Sequence, residues 1–348
     1  MEKSVSFFWL PLLLLSHLCA NCWSLGSIIS PRHFSYRIVS KLDHSPKYFT
    51  QGFVFRENDG ALCEGTGGDA SEIIIYGMNA KSIPTAPILT AKLASSDFGE
   101  GVTSYQGSFY QSTWKSKRVH VYDSKTLERV DTKKTPDELT EGWGITVSPG
   151  HDALIMSEGS AWLFWVVPHA ESKGFSTIKK VLVRDCGQNG TLVPGLNELE
   201  LVPLNVTHPE RVSQLHACQG PPEVLVNNTI PADSPSGGLV WGNIYGTQCI
   251  VAADPASGMA LAYIHLDGLN PKSNGHVQVT NGIAYRAGDG NLVWVTGKNW
   301  RHMFQIELVP LAQPPKDFPN KCSTEWMAGR GVWPKVQVNL EDNYCVKR

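Results

Sequence analysis

Charge is sparse in this sequence and is never concentrated in a long run of one sign. Only 18% of the 348 residues are Asp, Glu, Lys or Arg, and the formal net charge is −2. Nucleic acids and acidic membrane surfaces bind basic patches, so we expect neither as a partner. The basic pairs Lys133-Lys134 and Lys179-Lys180 are interpreted as solvated turns.

Motifs typical of several common chemistries are absent. The 11 histidines include no H-E-x-x-H pair, and no G-x-S-x-G elbow occurs. The glycine-rich stretch GTGG at 65–68 lacks the Lys-Ser/Thr of a phosphate-binding loop. Zinc hydrolases, hydrolases with a nucleophile elbow and phosphate-loop proteins are therefore not the classes that this sequence indicates.

Apolar sequence long enough to cross a bilayer is also lacking. The stretch Phe7–Leu18 follows Lys3 and is shorter than the ~20 residues that a spanning helix needs. Small residues near Ala20 and Ser24 suit cleavage, so residues 1–24 are predicted to be a signal peptide. We expect a secretory-pathway protein, secreted or in the lumen of the vacuole or endoplasmic reticulum, with no membrane contact once mature. An uncleaved anchor is the alternative.

Cysteine usage agrees with an oxidising compartment. Loss of Cys19 and Cys22 with the signal leaves six thiols, among which no C-x-x-C spacing occurs, so zinc binding and redox chemistry are disfavoured. Disulfides are expected, with 15 possible pairings. Three N-x-T sequons, at Asn189, Asn205 and Asn227, are candidate glycosylation sites.

A repeat runs through the chain. Similar short stretches begin at Gln51, Glu100, Trp143, Asn197 and Asn281, with spacings of 49, 43, 54 and 84 residues. The last gap contains a segment rich in Asn, Pro, Ser and Gly, residues 205–237, which we interpret as an inserted loop. Without it the spacing is close to the others. Periods of this size are typical of propeller blades.

Each unit continues with a turn and two further runs rich in β-branched and aromatic residues, whereas helical periodicity is scarce. The sequence therefore predicts an all-β protein, a five-bladed β-propeller over residues 33–310. Residues 35–42 precede the first unit and are predicted to form the outer strand of the last blade, which closes the ring. Residues 311–348 are interpreted as a C-terminal tail.

Propeller geometry brings distant residues together, because the first strand of each blade lines the central axis. The five leading residues should meet at one rim, and the residues ending the second strands should lie beside them: Gly67, Trp114, Gly159, Tyr245 and Lys298. The result is a candidate pocket with one carboxylate, one ammonium, amides and aromatic rings. The alternative is a structural role, in which polar groups bind channel water and Trp114 and Trp143 belong to the core.

Six motifs in order resemble those of the plant-type glutaminyl-peptide cyclotransferases. They are FTQGFVF (49–55), FGEGVT (98–103), EGWGIT (141–146), LNELE (196–200), NGIAY (281–285) and VTGKNW (295–300). The resemblance implies a five-bladed propeller that converts N-terminal glutamine of peptides and proteins to pyroglutamate with release of ammonia. It further implies that no catalytic metal or other cofactor is needed. We expect a monomer.

The same resemblance implies particular site residues. The glutamate of the family matches Glu100, and its pocket residues match Phe49, Gln51, Trp114, Trp143, Asn197 and Lys298. Asn281 and Tyr245 complete the predicted substrate-binding set, although Tyr245 stands where the family often has tryptophan. Positions in the family also suggest a disulfide between Cys249 and Cys322.

These residue types suit an intramolecular acyl transfer. The α-amine of the substrate attacks its own carboxamide carbon, so the remaining tasks are moving protons and releasing a poor leaving group. We assign Glu100 as the proton shuttle and Lys298 as a second catalytic group that holds the carboxamide oxygen. Burial should raise the pKa of Glu100 and Lys298 should lower it, and the sequence leaves the balance open. The alternative function is a non-catalytic propeller that binds peptide N-termini or small ligands.

Overall fold

The structure is a computed structural model that describes residues 30–57, 59–79, 83–170, 172–207, 237–270 and 279–323. The predicted signal peptide, most of the predicted insertion and the end of the predicted tail lie outside these ranges. The sequon at Asn227 lies outside them too. Asn189 is exposed and follows a short 3-10 helix, Cys186–Gln188.

Almost all regular structure in the described ranges is β. They contain 22 strands and a few 3-10 turns, and no α-helix occurs among them. The prediction of an all-β protein is confirmed. Within these ranges, no helix has the length and apolar character needed to cross a membrane.

The chain begins with β1 (Arg32–Asp43), which joins a sheet formed much later in the sequence. Three antiparallel four-stranded sheets follow, each with its strands in chain order. The first contains β2 (Phe49–Phe55), β3 (Leu62–Gly67), β4 (Glu72–Met78) and β5 (Pro84–Lys92). The second contains β6 (Gly99–Tyr105), β7 (Ser108–Thr113), β8 (Arg118–Asp123) and β9 (Arg129–Lys134). The third contains β10 (Ile145–Val147), β11 (Leu154–Met156), β12 (Trp162–Pro168) and β13 (Phe175–Leu182).

The remaining long strands form one eight-stranded sheet in the order β16-β17-β18-β19-β1-β22-β21-β20. A small ribbon, β14 (Arg184–Asp185) with β15 (Thr191–Leu192), precedes it. Besides β1, the eight-stranded sheet contains β16 (Leu196–Pro203), β17 (Gly238–Ile244), β18 (Cys249–Ala253), β19 (Ala260–His265), β20 (Thr280–Ala284), β21 (Leu292–Gly297) and β22 (His302–Leu311).

Strand β1 joins the two halves of this sheet. It pairs antiparallel with β22 from His33 to Asp43, so the prediction that residues 35–42 complete the last unit is confirmed. Its first three residues, Arg32–Phe34, also pair in parallel with β19, a junction that the sequence did not suggest.

Five inner strands contact one another in a closed series. They are the first strands of the three four-stranded sheets and the two end strands of the eight-stranded sheet: β2, β6, β10, β16 and β20. Strand β2 contacts β6, β6 contacts β10, β10 contacts β16, β16 contacts β20, and β20 contacts β2 again. The whole is a barrel-like or propeller-type arrangement of sheets around an axis. It brings the starts of five strands to one end and their ends to the other.

Glycines allow the inner strands to approach so closely. A Cβ at Gly52 would lie 2.2 Å from the backbone nitrogen of Val102, and one at Gly144 would lie 2.0 Å from the carbonyl oxygen of Asn197. Both distances are far below van der Waals contact, so no side chain fits. This explains why a glycine follows the leading residue in most repeats.

Hydrophobic cores fill the spaces between neighbouring sheets. In β4, the consecutive residues Ile73, Ile74 and Ile75 are all fully buried, at 0–1% exposure. Alternate side chains of a strand point to opposite faces. Ile73 and Ile75 pack in one cluster and Ile74 in another, so this sheet is covered on both faces. Unbroken apolar strands are the expected sequence signature of that burial.

Disulfide bonding extends the scaffold beyond the strands. Cys249 in β18 is bonded to Cys322, as the family resemblance suggested. Cys186 is also disulfide-bonded, and Cys63 is a buried free thiol. The Cys249–Cys322 bond ties the residues after β22 to the eight-stranded sheet.

The close approach of the inner strands predicts that Gly144→Ala lowers stability strongly. Because the added methyl group would overlap the carbonyl of Asn197, we expect a loss of about 1–3 kcal/mol or more. Gly174→Ala is the matched control, since its Cβ would meet nothing closer than 3.9 Å. Thermal unfolding of both variants checks this, and equal midpoints would show that the strands are not in tight contact.

Candidate active site

Several predicted site residues lie where the pairing of an inner strand with its neighbour is irregular. The pairing register shifts between Thr50 and Gly52, between Gly99 and Val102, between Leu196 and Leu199, and between Thr280 and Ile283. These four shifts contain, in order, the predicted residues Gln51, Glu100, Asn197 and Asn281. A β-bulge bends the strand and redirects a side chain. Each of these four residues therefore lies where the strand pairing leaves its side chain free of the regular in-and-out alternation.

The second predicted set lies beside the first because the repeats share a backbone hydrogen bond. The amide nitrogens of Trp114, Tyr245 and Lys298 donate to carbonyl oxygens at 3.0, 2.8 and 3.0 Å, and each acceptor is the residue just before the first strand of the same repeat. Each acceptor lies two residues before the leading residue of its repeat: Phe98, Gly195 and Val279. The alignment of repeats made from the sequence therefore holds at atomic detail in these three units.

Half-buried aromatic rings line one side of the rim. The rings of Phe49 and Phe98 meet edge to face, with centroids 6.0 Å apart, and Phe98 meets Trp114 at 5.6 Å. Across the rim, Trp143 contacts Tyr245 in the same manner at 5.4 Å. All five rings retain partial exposure, so Trp114 and Trp143 belong to the rim and not to the core.

Two charged groups join these aromatic pairs into a closed ring. The carboxylate Oε2 of Glu141 accepts hydrogen bonds from the indole Nε1 atoms of Trp114 and Trp143, at 2.6 and 2.9 Å. The ammonium Nζ of Lys298 lies 4.8 Å from the ring centre of Phe49 and 4.9 Å from that of Tyr245. Cations over aromatic faces are attracted to the ring quadrupole.

The amide side chains of the predicted site, those of Gln51, Asn197 and Asn281, are all buried. Asn281 is fully buried, and its Nδ2 donates to the side-chain oxygen of Gln51 at 2.6 Å and to the carbonyl of Thr50 at 3.0 Å. Asn281 thus holds the side-chain oxygen of Gln51 in place. Asn197 is 2% exposed, and among the described residues its Oδ1 has no hydrogen-bond partner. A buried polar atom without a hydrogen bond destabilises the folded protein, so its presence calls for an explanation, such as a ligand that binds it.

Glu100 and Lys298 are the buried charged groups of this rim. Burial raises the pKa of Glu100 to about 8, an effect that Lys298 opposes and Glu141 reinforces. Burial also lowers the pKa of Lys298 to about 8, against the attraction of Glu100. The balance that the sequence left open is therefore decided by desolvation. Since both groups titrate in one range, their apparent pKa values belong to the pair. At 8% exposure Lys298 is not a surface lysine.

Sequence reasoning missed Phe98 and Glu141. Each lies within a recognised motif, two residues before a predicted site residue. For Phe98 a signal existed in Gly67, because a Cβ there would lie 2.3 Å from the Phe98 ring. For Glu141 the only signal in the sequence was its place two residues before Trp143, which the repeat had already predicted to lie near Trp114.

Two further acids lie along the axis. Glu198 occupies the position at which the other repeats have glycine, and its Oε1 accepts from the backbone nitrogen of Phe53 at 3.3 Å. Burial raises the pKa of Glu198 well above its usual range and that of Glu200 to about 8. Glu200 lines a cavity of about 770 Å³ at the opposite ends of the inner strands.

Among the described residues, one group of metal-type ligands comes together away from the rim. It consists of Cys249, His265 and Cys322. The two sulfur atoms are already joined as a disulfide, so they are not available as thiolate ligands.

Comparison with known proteins identifies the family. A sequence model of the glutamine cyclotransferase family matches residues 12–221 and 234–308. A glutaminyl-peptide cyclotransferase of Arabidopsis thaliana is 28% identical over 300 residues, which cover 83% of this chain and 77% of that protein. The crystal structure of Myxococcus xanthus glutaminyl cyclase superposes with a TM-score of 0.60 at 24% identity, covering 81% of this chain and 99% of that one. Because the family model spans most of the sequence, this chain belongs to the glutamine cyclotransferase family of enzymes.

Proposed function

We propose that this enzyme cyclises the N-terminal glutamine of peptides and proteins with Glu100 as the proton shuttle. Membership of the family supplies the activity, and the observation that supports the residue assignment is the buried carboxyl of Glu100 with a pKa of about 8. A group that both takes and returns a proton works best when its pKa lies near the working pH.

The reaction requires one bond to form and one to break. The neutral α-amine attacks the carboxamide carbon, which closes the five-membered ring and gives a tetrahedral intermediate with negative charge on oxygen. Glu100 takes a proton from the attacking nitrogen and returns it to the departing nitrogen. The carbon–nitrogen bond of the carboxamide then breaks, and ammonia leaves. General acid–base help of this kind is typically worth ~10²–10⁴-fold.

The remaining rim residues have roles that follow from their chemistry. Lys298 is assigned to the developing oxyanion, with Gln51 and Asn197 as further polar partners. Phe49, Trp114, Trp143 and Tyr245 are assigned to the aliphatic part of the substrate and to exclusion of water. Asn281 contributes by orienting Gln51, to which it donates a hydrogen bond.

We also propose that the fold is a five-bladed propeller spanning residues 33–310, with residues 205–237 as an inserted loop and 311–348 as a tail. In support, the eight-stranded sheet divides at the short parallel junction between β19 and β1 into two four-stranded sets. With the three separate sheets this gives five sets, and their inner strands contact one another in a closed series.

For location we propose the secretory pathway. The apolar N-terminus of the sequence, the sequons and the disulfide between Cys249 and Cys322 support this. The substrates would then be secreted or lumenal peptides and proteins that begin with glutamine. Glycosylation is proposed at Asn189, Asn205 and Asn227, and the protein is proposed to act as a monomer.

The first test is ammonia release from a Gln-initiated peptide by Glu100→Gln. Because this variant keeps the shape of the side chain and loses its proton transfer, kcat/KM should fall about 10²–10⁴-fold. Glu138→Gln is the control, since Glu138 is an exposed carboxylate on the loop before Trp143. Near-wild-type turnover by Glu100→Gln would remove Glu100 from the mechanism. Peptide binding without product by the wild-type protein would instead favour a binding module.

A second prediction concerns pH. The kcat/KM of the wild type should be highest near pH 8, because Glu100 gains a proton below about 8 and Lys298 loses one above it. In Lys298→Met the alkaline limb should disappear. The acid limb should move to higher pH, since Lys298 no longer lowers the pKa of Glu100. The α-amine of the substrate titrates identically with both proteins, so a profile that differs only in height would contradict this assignment.

A third prediction links the site to stability. Folding raises the pKa of Glu100 from 4.5 to about 8. As the pH rises between these values, the unfolded chain has already released this proton while the folded protein still holds it. The wild type therefore loses stability over this range. Glu100→Gln lacks this loss. Its Tm should equal that of the wild type near pH 5 and exceed it by several degrees at pH 8. Calorimetry at the two pH values checks this, and a difference independent of pH would refute it.

A further inference from the structure

Glu141 has an unusual position between two walls of the rim. A single oxygen, Oε2, accepts both indole hydrogen bonds, from Trp114 at 2.6 Å and from Trp143 at 2.9 Å. Trp114 follows β7 and Trp143 precedes β10, so the two rings belong to different sheets. Nothing in the family resemblance assigned a role to this carboxylate.

The loop that carries Glu141 is fixed on both sides. Before it, the backbone nitrogen and hydroxyl of Thr140 donate to Glu158 Oε2 at 2.8 and 3.0 Å. After it, the backbone nitrogen of Gly142 donates to the carbonyl of Trp114 at 2.9 Å. A Cβ at Gly142 would lie 2.3 Å from the hydroxyl of Ser112, so the loop is pressed against β7. The carboxylate is therefore held in place before any substrate arrives.

We propose that Glu141 is a positioning residue that clamps Trp114 and Trp143 as the two facing walls of the substrate pocket and places a fixed negative charge beside Glu100. The second half of this inference rests on the proposed role of Glu100. The first half concerns binding alone and does not depend on it.

The clamp follows from the strength and geometry of these hydrogen bonds. Bonds to an ionised carboxylate are shorter and about twice as strong as bonds between neutral groups. Trp114 also meets the ring of Phe98 and Trp143 that of Tyr245, both edge to face, and such contacts are weaker and less directional than a hydrogen bond to a carboxylate. Because one oxygen of Glu141 accepts from both indoles, it links the two rings directly. A pocket whose walls are already in position loses less entropy when a ligand binds.

The charge of Glu141 is connected to Glu100 by a short series of contacts. The backbone nitrogen of Gly101, the residue after Glu100, donates to the carbonyl of Trp143 at 3.0 Å, and the indole of Trp143 donates to Glu141 at 2.9 Å. The charged groups that act on Glu100 are Lys298, at the end of β21, and Glu141, on the loop between β9 and β10. Lys298 favours the ionised form of Glu100, and Glu141 disfavours it. The negative charge of Glu141 thereby helps keep the pKa of Glu100 near that of the substrate amine, whose reference value is ~7.7–8.0. Proton transfer between two groups is easiest when their pKa values match.

Three variants separate the two roles. Glu141→Gln removes the charge and retains one carbonyl oxygen as acceptor. Glu141→Ala removes both the charge and the acceptor. Glu138→Gln removes an equivalent charge from an exposed position on the same loop and serves as the matched control.

The clamp is tested by calorimetric binding of a pyroglutamyl dipeptide, the product class of the reaction. Glu141→Ala should weaken binding about fivefold or more, as expected for loss of hydrogen bonds worth ~1 kcal/mol. Glu141→Gln should bind more tightly than the alanine variant, and Glu138→Gln should match the wild type. Wild-type affinity in Glu141→Ala would overturn the clamp. Far-ultraviolet circular dichroism and Tm measurements ensure that only folded variants are compared.

The electrostatic role is tested by the pH dependence of kcat/KM. In Glu141→Gln the acid limb should move to lower pH by about half a unit, because a like charge no longer raises the pKa of Glu100. In Glu138→Gln it should not move. An unmoved limb in Glu141→Gln, with Glu100→Gln inactive, would overturn this role. If Glu100→Gln proves active, the proposed mechanism fails and the electrostatic role fails with it. The binding measurement alone then decides the clamp.

Discussion

The near-contact of backbones around the axis is the constraint on which the rest of the molecule depends. At Gly52 and Gly144 the neighbouring inner strand lies so close that no Cβ fits. Backbones in such contact leave no space for side chains at these two positions. The residues Gln51, Glu100 and Asn197 lie at register shifts in the same strands, and a bulge at such a place redirects a side chain. The same packing that closes the fold therefore concentrates polar groups at one end of it.

The site stores its reactivity as the unfavourable burial of charge. A carboxyl and an ammonium placed in an apolar ring each lose hydration, and their mutual attraction only partly compensates. The scaffold tolerates this because its cores are extensive and because strands such as β4 are covered on both faces. The contacts of Lys298 with the rings of Phe49 and Tyr245 partly replace the lost hydration of its ammonium.

Much of this architecture was accessible from the sequence because its repeat has a physical cause. The spacing from Gln51 to Asn281 reports strand units of similar length, and it predicted the all-β class, the pairing of residues 35–42 and the gathering of Glu100 with Lys298. The parallel contact of β1 with β19 was not accessible, since it depends on how far one strand extends past its partner. Glu141 was missed because a loop residue has no periodicity. The sign of the pKa shift of Glu100 was left open because it depends on the depth of burial, which a strand pattern does not fix.

The position of β1 has a consequence for how the protein is made. Its antiparallel partner β22 lies roughly 265 residues further along the chain, so β1 leaves the ribosome first and is completed last. At translation rates of ~5–20 residues per second, about 13 to 53 seconds separate the synthesis of the two strands. During that time the edge of β1 that later pairs with β22 is open to pairing with other chains. Nascent molecules of this enzyme should therefore depend on chaperones until the last strand is released, and truncation before β22 should yield aggregates and not a smaller folded protein.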